Sequence, residues 1–234
     1  MRDSVVAGPT GRTHTGSMDE HGISECFDRE ASCCTPKTLS RRRSRSQPLA
    51  DALEEAGIQS MRVLEIGCGA GELARELAQR GAGSVTGIDL SPESVAIAAR
   101  EAAAEGLSGK VRFEVGNGAT EPLAPHDVVV MNRVICCYPH AQELITHTSD
   151  ATLQVFAFTV PRYEGALRIF WRLGFWIENT YHALRRRQFR AYLHDLGNID
   201  RWLRDQGLTP AQRFSRRGWL HAVYVRSEKR QTSV

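Results

Sequence analysis

The sequence predicts an α/β fold in which helices cover both faces of a doubly wound, largely parallel sheet. From residue 47 onward, short apolar runs alternate with segments of helical periodicity. Runs that are apolar throughout and separated by helices are typical of parallel strands buried on both faces. The predicted strands are 62–66, 84–88, 111–115, 127–131 and 152–158, and the predicted helices are 48–56, 72–80 and 92–105.

The residues between these segments support the boundaries. Gly81 follows the second helix as a C-cap, and Gly106 closes the third. Ser91 and Pro92 supply an N-cap and a first-turn proline for that third helix. Two more strands, within 208–226, flank a turn near residue 217 and predict an antiparallel edge.

Composition predicts one domain with a tail. The chain has 234 residues, of which 41% are hydrophobic and 24% charged, as in ordinary soluble domains. Residues 1–24 lack periodicity, so we expect a disordered tail there and a single domain over 25–234.

Charge is divided unevenly along the chain. Residues 47–160 hold 7 basic and 15 acidic side chains, whereas 161–234 hold 15 basic and 6 acidic ones. The basic third favours an anionic partner. No nucleic-acid-binding motif accompanies it, so nucleic acid is not predicted as a partner. The basic run at 41–46 predicts a solvated helix end or linker.

The cysteines match neither a disulfide framework nor a zinc motif. They are Cys26, Cys33, Cys34, Cys68, Cys136 and Cys137. Reduced thiols and no bound metal are the simplest interpretation. Because no apolar run reaches the length of a signal peptide or of a spanning helix of about 20 residues, we expect a cytoplasmic protein.

A glycine turn follows the first strand in "RVLEIGCGAG", residues 62–71. Gly67, Gly69 and Gly71 allow the backbone to turn tightly and to approach a ligand at a helix N-terminus. The third glycine of a dinucleotide motif would fall at position 72, where this chain has Glu72, which would repel a pyrophosphate. A ligand with a ribose but no phosphate at the turn fits better, and Asp89 at the next strand's end can accept hydrogen bonds from ribose hydroxyls.

The pair "VLEIGCGAG" and "VTGIDLS" resembles the motifs of class I S-adenosylmethionine-dependent methyltransferases. The resemblance covers about residues 48–226 and implies a Rossmann-like sheet of seven strands with the last one antiparallel. It implies that the glycine turn holds the methionine part of S-adenosyl-L-methionine, that Asp89 holds the ribose, and that Leu90 packs near the adenine. The cofactor-binding residues expected on this basis are Glu65, Gly67, Cys68, Gly69, Gly71, Asp89, Leu90, Asn117, Gly118 and Asn132.

One position departs from the family pattern. Many members have Gly-Asp after the third strand, and that aspartate bonds the adenine amino group. This chain has Asn117, whose side-chain oxygen can accept the same bond. The alternative is that Asn117 serves only a turn beside Gly118.

Two later segments resemble magnesium-protoporphyrin O-methyltransferases. They are "NRVICCYPH" at 132–140 and "FRAYLHDLGNIDRWLRDQGL" at 189–208. In that family the acceptor is a propionate carboxylate on a flat apolar ring. Here Cys137 replaces a histidine of the first segment, and Cys26 stands where a tyrosine is expected. We therefore expect a different acceptor, namely a carboxylate or hydroxyl oxygen on a small, partly apolar molecule. The alternatives are a porphyrin-type carboxyl methyltransferase and a non-catalytic partner subunit.

The acceptor side offers several candidate residues. Tyr138, His140 and His194 are the predicted catalytic residues, which would bind the acceptor or remove its proton. Loop packing is the alternative for the first two, and a helix cap for His194. Cys137 and Arg190 are the predicted substrate contacts, although Arg190 could also be a solvated arginine.

Two further ideas stay open. Cys136 and Cys137 could bind arsenite, but the known enzymes of that kind use three converging thiols, and buried packing is the simpler interpretation. Residues 162–192 show amphipathic helical spacing rich in aromatics and arginines. They predict a helical cap over the substrate after the fifth strand, with peripheral membrane contact as the alternative.

Overall fold

The computed structural model describes residues 20–32, 36–162, 164–165, 167–185 and 189–227. Its helices are α1 (Glu20–Ser32), α2 (Pro36–Glu55), α3 (Glu72–Gln79), α4 (Pro92–Ala104), α5 (Ala141–Asp150), α6 (Leu167–Leu184) and α7 (Leu196–Asp205), with a short 3-10 helix at Ile135–Cys137. Its strands are β1 (Arg62–Ile66), β2 (Ser84–Asp89), β3 (Val111–Val115), β4 (His126–Asn132), β5 (Thr152–Pro161), β6 (Leu208–Arg216) and β7 (Trp219–Arg226).

The strands form one sheet in the order β3-β2-β1-β4-β5-β7-β6. The pairs from β3 to β5 are parallel, and β7 runs antiparallel to both β5 and β6. The predicted fold class, a Rossmann-like sheet of seven strands with an antiparallel last strand, is confirmed. Strand order reverses between β1 and β4, and the carboxyl ends at such a reversal form the usual ligand crevice of α/β sheets.

Two hydrophobic clusters cover the two faces of the sheet. Successive side chains of a strand point to opposite faces, so Val128 of β4 joins one cluster and Val129 joins the other. Helices α2, α3 and α4 contribute to the first cluster, whereas α5 and α7 contribute to the second. The rigid central strands therefore fix the positions of the loops at their carboxyl ends.

Several boundaries differ from the sequence prediction. Helix α1 begins at Glu20, inside the predicted tail, and its Ile23 is buried, so the tail prediction does not hold for residues 20–24. Residues 1–19 of that tail lie outside the described part of the chain. Helix α2 begins well before the predicted start at Pro48, so the basic run at 41–46 is helical.

Helix α6 follows β5 as predicted, but it is shorter than the predicted segment 162–192. Residues 163, 166 and 186–188 of that segment lie outside the described residues. No described residue of α6 is buried.

Candidate active site

A cavity of about 320 Å³ opens at the carboxyl ends of β1, β2 and β4. Most of the residues that the sequence predicts for the cofactor line it. These are Glu65, Gly67, Cys68, Gly69, Asp89, Leu90, Asn117, Gly118 and Asn132. Gly71 is not in the lining; it is the N-cap of α3. The sheet topology thus brings residues from three strand ends to one site.

The glycine turn forms the floor of this cavity. Gly67 and Gly69 have φ of 67° and 53°, a left-handed backbone that favours glycine. A side chain at position 67 would collide with Val134, which follows β4. The Gly67 N–H donates to the carbonyl of Ile88 at 2.7 Å and so ties the turn to β2. The turn is therefore held between both neighbouring strands.

Glu65 is a buried acid at the end of β1. Its side chain is only 2% exposed, and one carboxylate oxygen has no hydrogen-bond partner. Burial, together with repulsion from Glu72, raises the pKa of Glu65 well above its ordinary value. Burial likewise raises the pKa of the Cys68 thiol, so that thiol stays protonated. An orphaned buried oxygen facing a cavity is suited to a ligand that brings a donor or a positive charge.

Asp89 lies at the end of β2 with both oxygens toward the turn. One accepts from the Gly69 N–H at 2.8 Å and the other from the Ser91 N–H at 2.9 Å. A carboxylate has about four acceptor positions, so hydrogen bonds from a ligand remain possible at both oxygens.

Asn117 and Asn132 lie farther along the rim. The Asn117 side-chain oxygen accepts from the Ala119 N–H at 2.9 Å, so the turn role considered from the sequence is present. The predicted adenine contact stays a prediction. Asn132 donates to Ser46 of α2 at 3.2 Å, and its amide oxygen is buried with no hydrogen-bond partner.

The acceptor-side prediction divides into residues inside and outside the cavity. Cys137 and Tyr138 line it. His140 does not, although its ring lies 6.3 Å from that of Tyr138, centroid to centroid. Arg190 is also absent from the lining, and its guanidinium donates to the carbonyl of Phe189 at 2.6 Å. These positions leave Cys137 and Tyr138 as the predicted acceptor-side residues that can touch a ligand directly.

His194 braces the loop that carries those two residues. Its Nε2 lies 2.8 Å from the Tyr138 carbonyl, and the ring also bonds the Ile135 carbonyl. Burial lowers the pKa of His194, which favours the neutral ring. His194 is not among the cavity-lining residues, so the geometry supports a positioning role.

Several residues that line the cavity were not predicted from the sequence. Ile23 and Phe27 of α1 and Arg45 and Ser46 of α2 line the cavity, as does Arg133 directly after β4. Helix α1 is mostly polar, and its first residues fall in the stretch that shows no periodicity, so the sequence carries little signal for it. A single arginine after a strand carries no motif, so Arg133 gave no sequence signal.

Helix α1 is fastened to the segment that follows β2, at the edge of the cavity. Ser24 donates to the Leu90 carbonyl at 2.8 Å, and Asp28 accepts from the Ser91 hydroxyl. Phe27 packs edge-on against Phe189, with ring centroids 5.4 Å apart. Cys26, the residue at the expected tyrosine position, is half-buried on this helix.

The described thiols form no metal site. The described cysteines, Cys26, Cys68, Cys136 and Cys137, form no disulfide with one another. The Cys136 and Cys137 sulfurs lie 3.9 Å apart, and both point to the Arg133 carbonyl. Within the described ranges, no three histidine, cysteine or acidic side chains converge as metal ligands.

The fold and part of the sequence are similar to those of methyltransferase domains. Residues 63–152 match the methyltransferase domain family, and this stretch spans the glycine turn, Asp89 and β4. The sequence-based recognition of this class is therefore confirmed.

Two individual relatives show how far the sequence similarity extends. The chain is 37% identical over 115 residues to a magnesium-protoporphyrin O-methyltransferase of Rhodobacter capsulatus, covering 48% of this chain and 50% of that protein. It is 33% identical over 124 residues to a trans-aconitate 2-methyltransferase of Streptomyces avermitilis, covering 50% of this chain and 46% of that one. The chain thus spans about half the length of these relatives.

A solved structure shares the fold over nearly the whole chain. It is the magnesium protoporphyrin IX methyltransferase of Synechocystis PCC 6803 with bound S-adenosylhomocysteine. The TM-score is 0.69 at 21% identity, covering 89% of this chain and all of that one. Separately, none of the helices in the described residues is long and apolar enough to span a membrane.

Proposed function

We propose that this protein transfers a methyl group from S-adenosyl-L-methionine to an oxygen of a small, partly apolar molecule. The observation that carries the proposal is the single cavity in which the glycine turn, Glu65 and Asp89 meet the acceptor-side residues Cys137 and Tyr138. The methyltransferase-domain match over 63–152 supports the reaction class.

The residues present fit this cofactor. The buried Glu65 oxygen that lacks a partner suits the ammonium group of the methionine part, which would also favour the ionised carboxylate. Asp89 retains acceptor positions for the ribose hydroxyls. Ile23 and Phe27 form an apolar cover on the same cavity.

The chain's own contribution is alignment and exclusion of water. When bound, S-adenosylmethionine would supply a sulfonium methyl for the acceptor oxygen, with S-adenosylhomocysteine as the leaving group. Because the methyl is already activated, the protein mainly has to position the two reactants. The Tyr138 loop, braced by His194, and the α1 cover perform that task.

A carboxylate acceptor suits this site better than a hydroxyl. A carboxylate is ionised at neutral pH and needs no general base, whereas a hydroxyl must lose its proton. His140 and His194 both lie outside the cavity lining, and Tyr138 is the predicted catalytic residue inside it. The substrates named for two of the relatives, magnesium protoporphyrin and trans-aconitate, carry carboxylic acid groups.

A magnesium-protoporphyrin-type carboxyl methyltransferase is the second candidate. The match to the Rhodobacter capsulatus protein favours it, whereas Cys137 in place of the family's histidine argues for another acceptor. A non-catalytic partner that keeps the cofactor fold is the third.

Calorimetry with S-adenosylhomocysteine tests the cofactor site. We expect wild-type protein to bind and Asp89→Ala to bind at least tenfold more weakly, because two hydrogen bonds to a charged acceptor contribute about 1.5–3 kcal/mol each. Asp127→Ala is the matched control, since Asp127 bonds Arg62 near the opposite end of the sheet and should leave the affinity within twofold. Absence of binding, or equal binding by Asp89→Ala, would contradict the proposal.

A further inference from the structure

Arg133 occupies an unusual position in the cavity wall. It follows β4 directly and has a φ of 66°, a left-handed backbone rare outside glycine. Its guanidinium carbon lies 4.0 Å from the centroid of the Trp219 ring, a cation–π distance. The Nε is buried without a hydrogen-bond partner. The side chain is thus held in one place while part of its donor capacity is unused.

The surroundings of Arg133 do not neutralise it. Among the described residues, no acidic side chain forms an ion pair with it, and Arg45 on the same cavity adds like charge. Burial lowers the pKa of Arg133 to about 10, so the group stays charged at neutral pH. Burial also lowers the pKa of nearby His221 to about 4, so that ring is neutral. A half-buried charge without a partner is costly, and an anion would relieve the cost.

The cavity therefore has two ends of opposite sign. Its acidic residues, Glu65, Glu72 and Asp89, come from the ends of β1 and β2 and the first turn of α3. Its arginines come from the other side, Arg133 after β4 and Arg45 on α2. Since the acidic end suits the cofactor, the basic end is left for the acceptor.

We propose that Arg133, fixed by stacking on Trp219, is a specificity-determining residue that binds a carboxylate of the acceptor. This inference rests on the proposed function and names its substrate class. A planar guanidinium can hold a carboxylate through two parallel N–H bonds, which would orient the acceptor.

Paired probes of equal shape test the charge preference. The probes are 3-phenylpropionate and its neutral counterpart 3-phenylpropanol, added to the full chain with and without saturating S-adenosylhomocysteine. Binding is followed on the arginine Nε–H resonances in ¹⁵N-correlated NMR spectra, with Arg133→Gln identifying the signal. We expect the acid to shift the Arg133 resonance and to bind at least tenfold tighter than the alcohol.

The variants separate this proposal from the proposed function. Arg133→Gln should abolish the preference for the acid, whereas its affinity for S-adenosylhomocysteine should stay within twofold. Arg133→Lys should keep part of the preference for the acid. Arg201→Gln, an exposed arginine on α7, is the matched control and should behave as wild type. No shift of the wild-type signal by the acid, or a preference retained in Arg133→Gln, would overturn the proposal. If Arg133→Gln does not fold, Arg133→Lys identifies the signal instead, because it also lacks the arginine Nε–H, and the wild-type spectra then decide the matter. Failed cofactor binding would be seen separately.

A second inference concerns the outer face of α6, which is defined by its exposed apolar residues. They are Ile169, Phe170, Leu173, Trp176, Ile177, Tyr181 and Leu184. Trp176 is 65% exposed and Ile169 74%. The inner face instead packs on the protein, since Trp171 contacts Trp219 with ring centroids 5.4 Å apart. The outer face therefore points away from the cavity, and no described α6 residue lines it.

Arginines lie along this face. Exposed Arg168 and Arg172 are one turn apart on α6, and Arg185 follows its end with its guanidinium 5.2 Å from the Tyr181 ring centroid. If two copies of α6 packed face to face, the arginines beside their outer faces would lie close together. The repulsion between these like charges would be unfavourable. An aromatic, apolar face beside arginines instead matches helices that lie in the plane of an anionic membrane surface.

We propose that the outer face of α6 binds the surface of an anionic lipid bilayer. Co-sedimentation of the full chain with phosphatidylcholine vesicles, with and without phosphatidylglycerol, tests this. We expect binding that depends on phosphatidylglycerol, a loss of at least fivefold in Leu173→Glu/Trp176→Glu, and a weaker loss in Arg168→Gln/Arg172→Gln.

The matched control is Val115→Glu/Leu153→Glu, which adds the same charge at exposed apolar positions elsewhere and should bind as wild type. Absence of co-sedimentation with anionic vesicles, or equal loss in the control, would contradict the proposal. So would sedimentation velocity showing a dimer that the α6 variant converts to monomer, because a second copy would then be the occupant.

Discussion

The buried carboxyl of Glu65 lowers the stability of the ligand-free protein but is suited to binding a ligand. Its pKa is raised by burial, so the folded protein keeps a proton that the unfolded chain releases above about pH 4.5. Because the unfolded state then binds fewer protons, the free energy of unfolding falls as the pH rises from that value through the raised pKa. The buried Glu65 carboxylate therefore destabilises the ligand-free protein, and it is suited to a cationic ligand.

We therefore predict that Glu65→Gln stabilises the ligand-free protein at about pH 8 but changes little at about pH 3.5, where the carboxyl is largely protonated in both states. The same variant should lose most affinity for S-adenosylhomocysteine. Thermal unfolding at the two pH values, with calorimetry, checks both parts. The control is Glu114→Gln, at an exposed position of β3. A stabilisation by Glu65→Gln that does not depend on pH would refute the explanation.

His194 distinguishes a positioning residue from a catalytic base. If it braces the 135–138 loop, His194→Ala should raise KM for the acceptor severalfold and leave S-adenosylhomocysteine binding unchanged, and His194→Asn should restore part of the loss through its amide donor. Steady-state kinetics across pH make the measurement. A large fall in kcat that removes an ionisation from the pH profile would show that His194 is the base.

Among the elements, α1 was the least expected, and its Ile23 and Phe27 line the cavity. Ser91 is fully buried and serves two purposes, because it caps α4 through the Ser94 N–H and bonds Asp28 of α1. Asp195 likewise caps α7, because its side chain accepts from the Asn198 N–H. It is far from α1 along the chain.

These two caps give a matched pair. Each replacement by alanine should cost about 1 kcal/mol of unfolding free energy, which lowers Tm by about 2–4 °C in a domain of this size. Only Ser91→Ala should also weaken S-adenosylhomocysteine binding, by severalfold, because it releases α1 from the site. Equal affinities in the two variants would mean that α1 does not cover the cofactor.

The elements also show what a sequence can and cannot predict here. Strands β1 and β3 match their predicted bounds. In β1 four of the five residues are buried, whereas β3 alternates apolar with charged residues, which is the pattern of a half-buried strand. Helices α5 and α7 have only ten residues each, which leaves little length for a periodic pattern, although the buried Leu196, Ile199 and Leu203 of α7 do recur at helical spacing. Arg45 belongs to a basic run that resembles solvated surface, and only the packing of α2 against the sheet brings it to the cavity.

At the scale of the whole molecule, the acidic and basic residues that line the cavity come from different strand ends and helices. The acidic residues of the cavity come from the β1–β2 half, whereas Arg133 and the arginines beside α6 come from β4 onward. Strand order places these halves side by side at β1 and β4. One cavity can thus bind a cationic cofactor at one end and an anionic acceptor at the other.

The central claim is methyl transfer to an acidic small molecule, and isotope transfer tests it most directly. Cell extract, divided into acidic and neutral small molecules, is incubated with the protein and trideuteromethyl-labelled S-adenosylmethionine and examined by mass spectrometry. We expect a product in the acidic pool that has gained one trideuteromethyl group as an alkali-labile ester, and no such product with Asp89→Ala. Cofactor binding without labelled product in either pool, or a product formed only from neutral molecules, would contradict the account.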